Sequence, residues 1–101
     1  MNTDVYTISE LQERLAPVFE EYQVKKAILF GSYAKGKARP QSDVDLLVDS
    51  GLRGLQFLGL QEALRMALDD KEVELFDVTH LETASPVDRE IVKTGIQIWP
   101  L

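Results

Sequence analysis

Two kinds of hydrophobic spacing alternate along this chain, and the alternation limits the folds open to it more than any other feature. Ile8, Leu11, Leu15, Val18, Phe19 and Tyr22 recur as one helical face, behind Thr7-Ile8-Ser9-Glu10, which has the spacing of a capping box. Pro17 falls inside that pattern and cannot donate to the Glu13 carbonyl, so a kink or break is expected there. Lys26-Ala27-Ile28-Leu29-Phe30 is short, apolar and closed by Gly31, as a buried strand would be. In Asp43-Val44-Asp45-Leu46-Leu47-Val48 the spacing switches to two: Val44, Leu46 and Val48 share one face, and the other begins with Asp43 and Asp45. Past the turn from Gly51 to Gly54, the residues Phe57, Leu60, Ala63, Leu64, Ala67 and Leu68 return to helical intervals and end near Asp69-Asp70. Val73 to Val78 reads as a third strand carrying Glu74 and Asp77. Ser85-Pro86-Val87-Asp88 opens a helix that runs to about Thr94 and stops at Gly95, and Ile96 to Trp99 forms a last strand. The order helix, strand, strand, helix, strand, helix, strand predicts an α/β (α+β) fold, a small mixed β-sheet with helices packed against it.

The 101 residues suit a single domain, 1–101, with one two-layer core. Lys plus Arg number 11 against 17 Asp plus Glu, a net charge of −6, and such a surface repels phosphate backbones. General nucleic-acid binding is therefore not expected, although a local arrangement can still hold a small anionic ligand. There is no cysteine, which removes thiol chemistry and Cys-based zinc sites. The longest apolar run, Ala27 to Phe30, is far too short to cross a bilayer, and the N-terminus has no basic stretch followed by an apolar one. A soluble, cytoplasmic protein with no membrane association is expected.

The chemistry concentrates between Gly31 and Asp45. In Phe30-Gly31-Ser32-Tyr33-Ala34-Lys35-Gly36 a strand ends in Gly-Ser and good helix formers follow, so free backbone N–H groups should point at one spot. Gly31 lets an anion approach the backbone, and the Ser32 hydroxyl adds a donor. Alone, Gly-Ser after a strand is more often an ordinary turn. Downstream, however, Asp43 and Asp45 lie two apart on a strand and project from one sheet face. Paired carboxylates repel, and they persist chiefly where a cation lies between them; hard oxygen ligands favour Mg²⁺ or Mn²⁺, with nucleotide phosphates completing the shell. The plain alternative is an edge strand with two solvated acids.

Gly31-Ser32, ten residues, then Asp43-Val44-Asp45-Leu46 resembles the G-S-x10-D-x-D signature of nucleotidyltransferases of the DNA polymerase beta superfamily. The run GSYAKGKARPQSDVDLLVD, with the short length and the later Val73-Glu74-Leu75-Phe76-Asp77, is similar to the minimal nucleotidyltransferase (MNT) family. The resemblance implies a polymerase-beta-like fold and transfer of AMP from ATP to a tyrosine of a HEPN-domain toxin, with the MNT protein as antitoxin. It implies that Gly31 and Ser32 hold the triphosphate and that Asp43 and Asp45 bind two divalent metals. The third carboxylate falls at Glu74, where relatives usually carry Asp, and in the two-metal scheme it helps activate the acceptor hydroxyl. Asp77 is the fallback, and strand parity puts it on the face opposite Glu74.

Tyr33 stands where many relatives have a basic residue, so Lys35, Lys37 and Arg39 are the available positive charges, with Lys35 assigned to the nucleotide. Ser42 is either a further nucleotide contact or a residue that shapes the turn into the strand. His80, the single histidine, reads as a surface residue, and Tyr6, Tyr22 and Trp99 as core or partner contacts. Larger nucleotidyltransferases grip base and acceptor with an added domain. Here a partner is expected to supply acceptor and specificity, in a hetero-oligomer or through a homodimer, and the second long helix has apolar positions enough for both a core and a contact. Two other readings stay open: a catalytically weak module that neutralises its partner by occlusion, and the same fold acting on a tRNA end or an aminoglycoside.

Overall fold

The computed structural model describes residues 4–80, 89, 91 and 93–100. In chain order these form α1 (Ile8–Glu21), β1 (Lys26–Phe30), α2 (Gly31–Ala34), β2 (Val44–Asp49), α3 (Gly54–Ala67), β3 (Val73–Asp77), a 3-10 turn (Val78–His80) and β4 (Ile96–Trp99). The sheet order is β3-β2-β1-β4. β1 pairs antiparallel with both β2 and β4, while β2 and β3, joined by the long crossover that contains α3, are parallel. The mixed sheet expected from the sequence is present.

α1 begins as its sequence dictates. Thr7 Oγ1 accepts from the Glu10 N–H at 3.1 Å and Glu10 Oε1 accepts from the Thr7 N–H at 2.9 Å, closing a capping box. The expected break at Pro17 does not occur, and α1 continues through it to Glu21. Pro17 and Glu13 are both exposed, so the carbonyl that loses its donor faces water, while Leu15 and Phe19 hold the helix to the core on either side.

Leu11, Leu15 and Phe19 of α1 and Leu60, Leu64 and Leu68 in and just after α3 each recur every fourth residue, and all six are fully buried. They pack on the sheet face made by Ala27 and Leu29, Val44, Leu46 and Val48, Val73 and Leu75, and Ile98. Tyr6 donates its hydroxyl to the Leu68 carbonyl at 2.8 Å, Trp99 Nε1 donates to the Val24 carbonyl at 2.8 Å, and Phe19 and Trp99 stack with centroids 5.8 Å apart. Tyr6 and Trp99 are thus core residues, and Tyr22 reaches across to α3, its hydroxyl 3.4 Å from the Gly59 carbonyl. Of the helix expected over 85–94, Arg89, Ile91, Lys93 and Thr94 are helical and the Gly95 N–H closes on the Ile91 carbonyl at 2.8 Å. Its start, at Ser85-Pro86-Val87-Asp88, and the side chain of His80 lie outside the described residues.

Candidate functional site

β1 and β2 run antiparallel with Phe30 opposite Asp45, so the residue after β1 lies beside the start of β2. That residue is Gly31, whose φ of +74° is a left-handed conformation that side chains with a Cβ resist. A second constraint acts at the same atom. A Cβ at Gly31 would stand 3.1 Å from Asp45 Cγ and nearer still to Oδ2, so the space a side chain would fill is occupied by the Asp45 carboxylate. Glycine is required there both by backbone conformation and by the acid packed on it.

From Gly31 the chain enters the single turn of α2, with Phe30 in the capping position and no side chain capping the helix start. The first N–H groups of such a turn have no acceptor within it, and Gly31 and Ser32 lie at the edge where Asp45 emerges. Tyr33 turns the other way. It is buried in the hydrophobic core, where burial pushes its phenol above the ordinary 10.0; the Tyr6 backbone lies near enough to offset this in part, but the hydroxyl meets hydrogen-bond geometry with no partner among the described residues. The position after Gly-Ser therefore points inward here. Lys35, Lys37 and Arg39 are exposed on the loop that follows.

Asp45 is half-buried, and its neighbour in the parallel register with β3 is Glu74. Paired residues share a face, so Asp45 and Glu74 stand side by side on the face opposite the helices, with Glu74 open to solvent. Phe30 and Phe76 flank them there, centroids 5.9 Å apart. Asp43 is exposed and lies before β2 rather than in it, correcting the strand start expected at Asp43. Among the described residues no three acidic or histidine side chains converge closely enough to share one ion. The donors nonetheless suit a hard divalent cation: carboxylates at Asp43, Asp45 and Glu74 on one edge, with the glycine cradle fixing the middle one.

Asp77 is placed elsewhere. It is fully buried on the helix-covered face, level with Val48 and roughly 10 Å along the strand from Asp45's level. Its Oδ2 accepts from the Ser50 N–H at 3.1 Å and from the Ser50 hydroxyl, and its Oδ1 accepts from the Thr79 N–H at 3.0 Å and the Thr79 hydroxyl at 2.9 Å. Burial alone would raise this carboxyl; the Ser50 and Thr79 donors outweigh it and hold the group below the ordinary 3.8. Asp77 ties the ends of β2 and β3 together.

Ser42 forms a reciprocal turn, its Oγ accepting from the Arg39 N–H at 2.9 Å and its N–H donating to the Arg39 carbonyl at 2.9 Å. Of its two expected parts, the turn-shaping one is visible. One functional candidate had no signal in the sequence at all: Lys71, two residues ahead of β3, is 2% exposed.

A glycine-first turn and paired acids at one edge of a mixed sheet are the arrangement of a nucleotidyltransferase. Residues 13–100 match the model of the polymerase beta nucleotidyltransferase family, and the chain belongs to that family. A Methanocaldococcus jannaschii protein provisionally named a protein adenylyltransferase is 39% identical over 44 residues, 44% of this chain and 47% of the relative. The chain thus spans about half the length of that relative. A crystal structure of a toxin–antitoxin with AMP-PNP contains a chain that superposes with a TM-score of 0.75 at 26% identity, over 87% of this chain and 72% of that one. A chain from the complex of a tri-AMPylated Shewanella oneidensis HEPN toxin with an MNT antitoxin superposes at 0.70 and 23% identity, over 92% and 72%, and shows the shared fold.

Proposed function

We propose that this chain transfers AMP from ATP to a hydroxyl, a tyrosine, of a HEPN-domain partner and thereby acts as its antitoxin. The observation that carries the reading is the packing of the Asp45 carboxylate on Gly31, with Glu74 next to it in register. A phosphate-binding turn and the acid face are thereby joined as one site. Similarity to a structure with AMP-PNP and to proteins named for adenylyl transfer supports the nucleotide and the reaction class.

Gly31 and Ser32 hold the triphosphate through backbone donors and the serine hydroxyl. Asp43, Asp45 and Glu74 would hold divalent cations, which when bound polarise the α-phosphate and neutralise the leaving pyrophosphate. The acceptor oxygen forms a bond to the α-phosphorus, the bond from that phosphorus to the bridging oxygen breaks, and pyrophosphate departs with the electron pair. Glu74, exposed beside the half-buried Asp45, takes the hydroxyl proton in this reading. The outer side of α3 offers a partner apolar surface, with Leu55 86% exposed and Leu58 56%. No helix in the described residues is long and apolar enough to cross a membrane.

The occlusion reading is favoured by a single observation, the lack of a converged three-acid cluster among the described residues. Intact mass of a co-expressed HEPN partner, before and after incubation with Mg²⁺ and ATP, separates the two. Addition of one or more AMP masses by the protein, and none by Asp43→Asn/Asp45→Asn, is the expected result. Tight complex formation with no mass gain would replace transfer by occlusion.

A further inference from the structure

We propose that Lys71 is a positioning residue, a buried clamp that sets Asp43 against Asp45, an inference that takes its chemistry from the adenylyltransferase reading above. Lys71 Nζ donates to the Pro40 carbonyl at 2.7 Å and to the Asp4 carbonyl at 2.7 Å. The next residue, Glu72, accepts the Val44 N–H at 3.0 Å through its carbonyl. Asp43 therefore lies between two points, Pro40 and Val44, both fastened to the residue pair 71–72. Within that bracket Arg39 and Ser42 bond each other in both directions, leaving the loop little slack.

The clamp matters because Asp43 precedes β2 and lies outside its regular pairing, whereas Asp45 is held by β1 on one side and β3 on the other. The same residue lies near the remaining parts of the site. Its ammonium lies 6.0 Å from the centroid of the Tyr33 ring, on the turn that carries Gly31 and Ser32, and its own backbone leads directly into β3 and Glu74. One buried residue thus couples the Gly-Ser turn, the loop with Asp43 and the strand with Glu74. Its burial is supported by the two carbonyls, which would lose their shared donor together if it were replaced by an apolar side chain.

The test compares wild type with Lys71→Met, which keeps the side-chain length and removes the donors. Hydrogen exchange followed by mass spectrometry should show residues 37–43 exchanging about tenfold faster, with 27–30 and 46–48 unchanged. Mn²⁺ affinity, read by electron paramagnetic resonance, should weaken about tenfold, and saturating Mn²⁺ should restore kcat to within about threefold while KM for the metal stays high. Loop exchange and Mn²⁺ affinity within about twofold of wild type would overturn the clamp, as would a uniform rise in exchange across the core strands. Asp43→Asn/Asp45→Asn in the same titration keeps the two questions apart. If it binds Mn²⁺ as wild type does, the metal reading fails, and the exchange pattern of Lys71→Met still decides the clamp. A wild-type measurement covers the case in which Lys71→Met does not fold. Acetylation of Lys71 should run about tenfold slower than that of Lys35 and Lys37, and slow further with Mn²⁺ and a non-hydrolysable ATP analogue. Equal labelling rates would refute the clamp.

Discussion

Gly31→Ala isolates the contact on which the site is built. Two penalties fall on the one methyl group. At a φ of +74° a Cβ costs about 1–2 kcal/mol. Reduced freedom of the unfolded chain offsets about 0.4–1 kcal/mol of that. The methyl would also stand 3.1 Å from Asp45 Cγ, where carbon atoms prefer about 3.5–4.0 Å, and closer than that to Oδ2. The carboxylate is the far end of a short side chain and can shift, so the fold survives with a loss of about 1–2 kcal/mol. For a domain of this size that is a fall in Tm of roughly 5–9 °C. Activity has no such escape, since rotating the carboxylate by about 1 Å misplaces it for transfer and should cost about 100-fold in kcat/KM. Thermal unfolding followed by circular dichroism and AMP incorporation into the partner measure the two effects separately. Transfer within about threefold of wild type, in a protein whose Tm has fallen as stated, would refute the argument that Asp45 must occupy that space.

Glu74→Gln should lower transfer about 100-fold with little change in Tm, whereas Asp77→Asn should leave transfer by the folded protein within a few-fold; the reverse ranking would move the third carboxylate to Asp77. Asp77→Asn should instead cost about 1–3 kcal/mol in urea unfolding, because a fully buried acceptor of four hydrogen bonds is altered. Because the Asp77 carboxyl is held below its ordinary 3.8, its stabilisation is present above about pH 4 and is lost as pH falls through the lowered value. Wild type should therefore lose more stability than Asp77→Asn between pH 5 and pH 2.5 or so, and parallel curves would contradict this. Tyr33→Phe removes a buried hydroxyl without a partner and should be neutral or stabilising by up to about 1 kcal/mol; a loss larger than that would mean the hydroxyl is bonded in solution.

What the sequence made legible were features whose cause is local. The Thr7–Glu10 box, the strand Lys26–Phe30 and the buried alternation of Val44, Leu46 and Val48 all follow from spacings of two to four residues, and the structure contains each of them. Gly31, Asp45 and Glu74 come together because strand register carries local pattern across the sheet, and parity alone put Asp77 on the other face. That α1 runs on past Pro17 without a break is not legible, because tolerance of a proline depends on which side of the helix faces water, which the tertiary packing settles. The inward direction of Tyr33 is not legible either, because chain position says nothing about where a one-turn helix aims its third residue. Lys71 carried no signal, since a lysine near the acidic Asp69-Asp70 reads as surface. Its partners, at Asp4 and Pro40, lie far away in sequence.

The parallel pairing of β2 with β3 also has a consequence for the order of folding. Antiparallel β1 and β2 are joined by the loop that carries the signature, so the glycine and Asp45 come together as that hairpin forms. Glu74 arrives only after the chain has crossed through α3, and contacts that close a longer loop are slower to form. During synthesis, a chain that has emerged only through β2 contains the glycine and Asp45 but not yet Glu74. Bringing Glu74 beside Asp45 requires the crossover through α3.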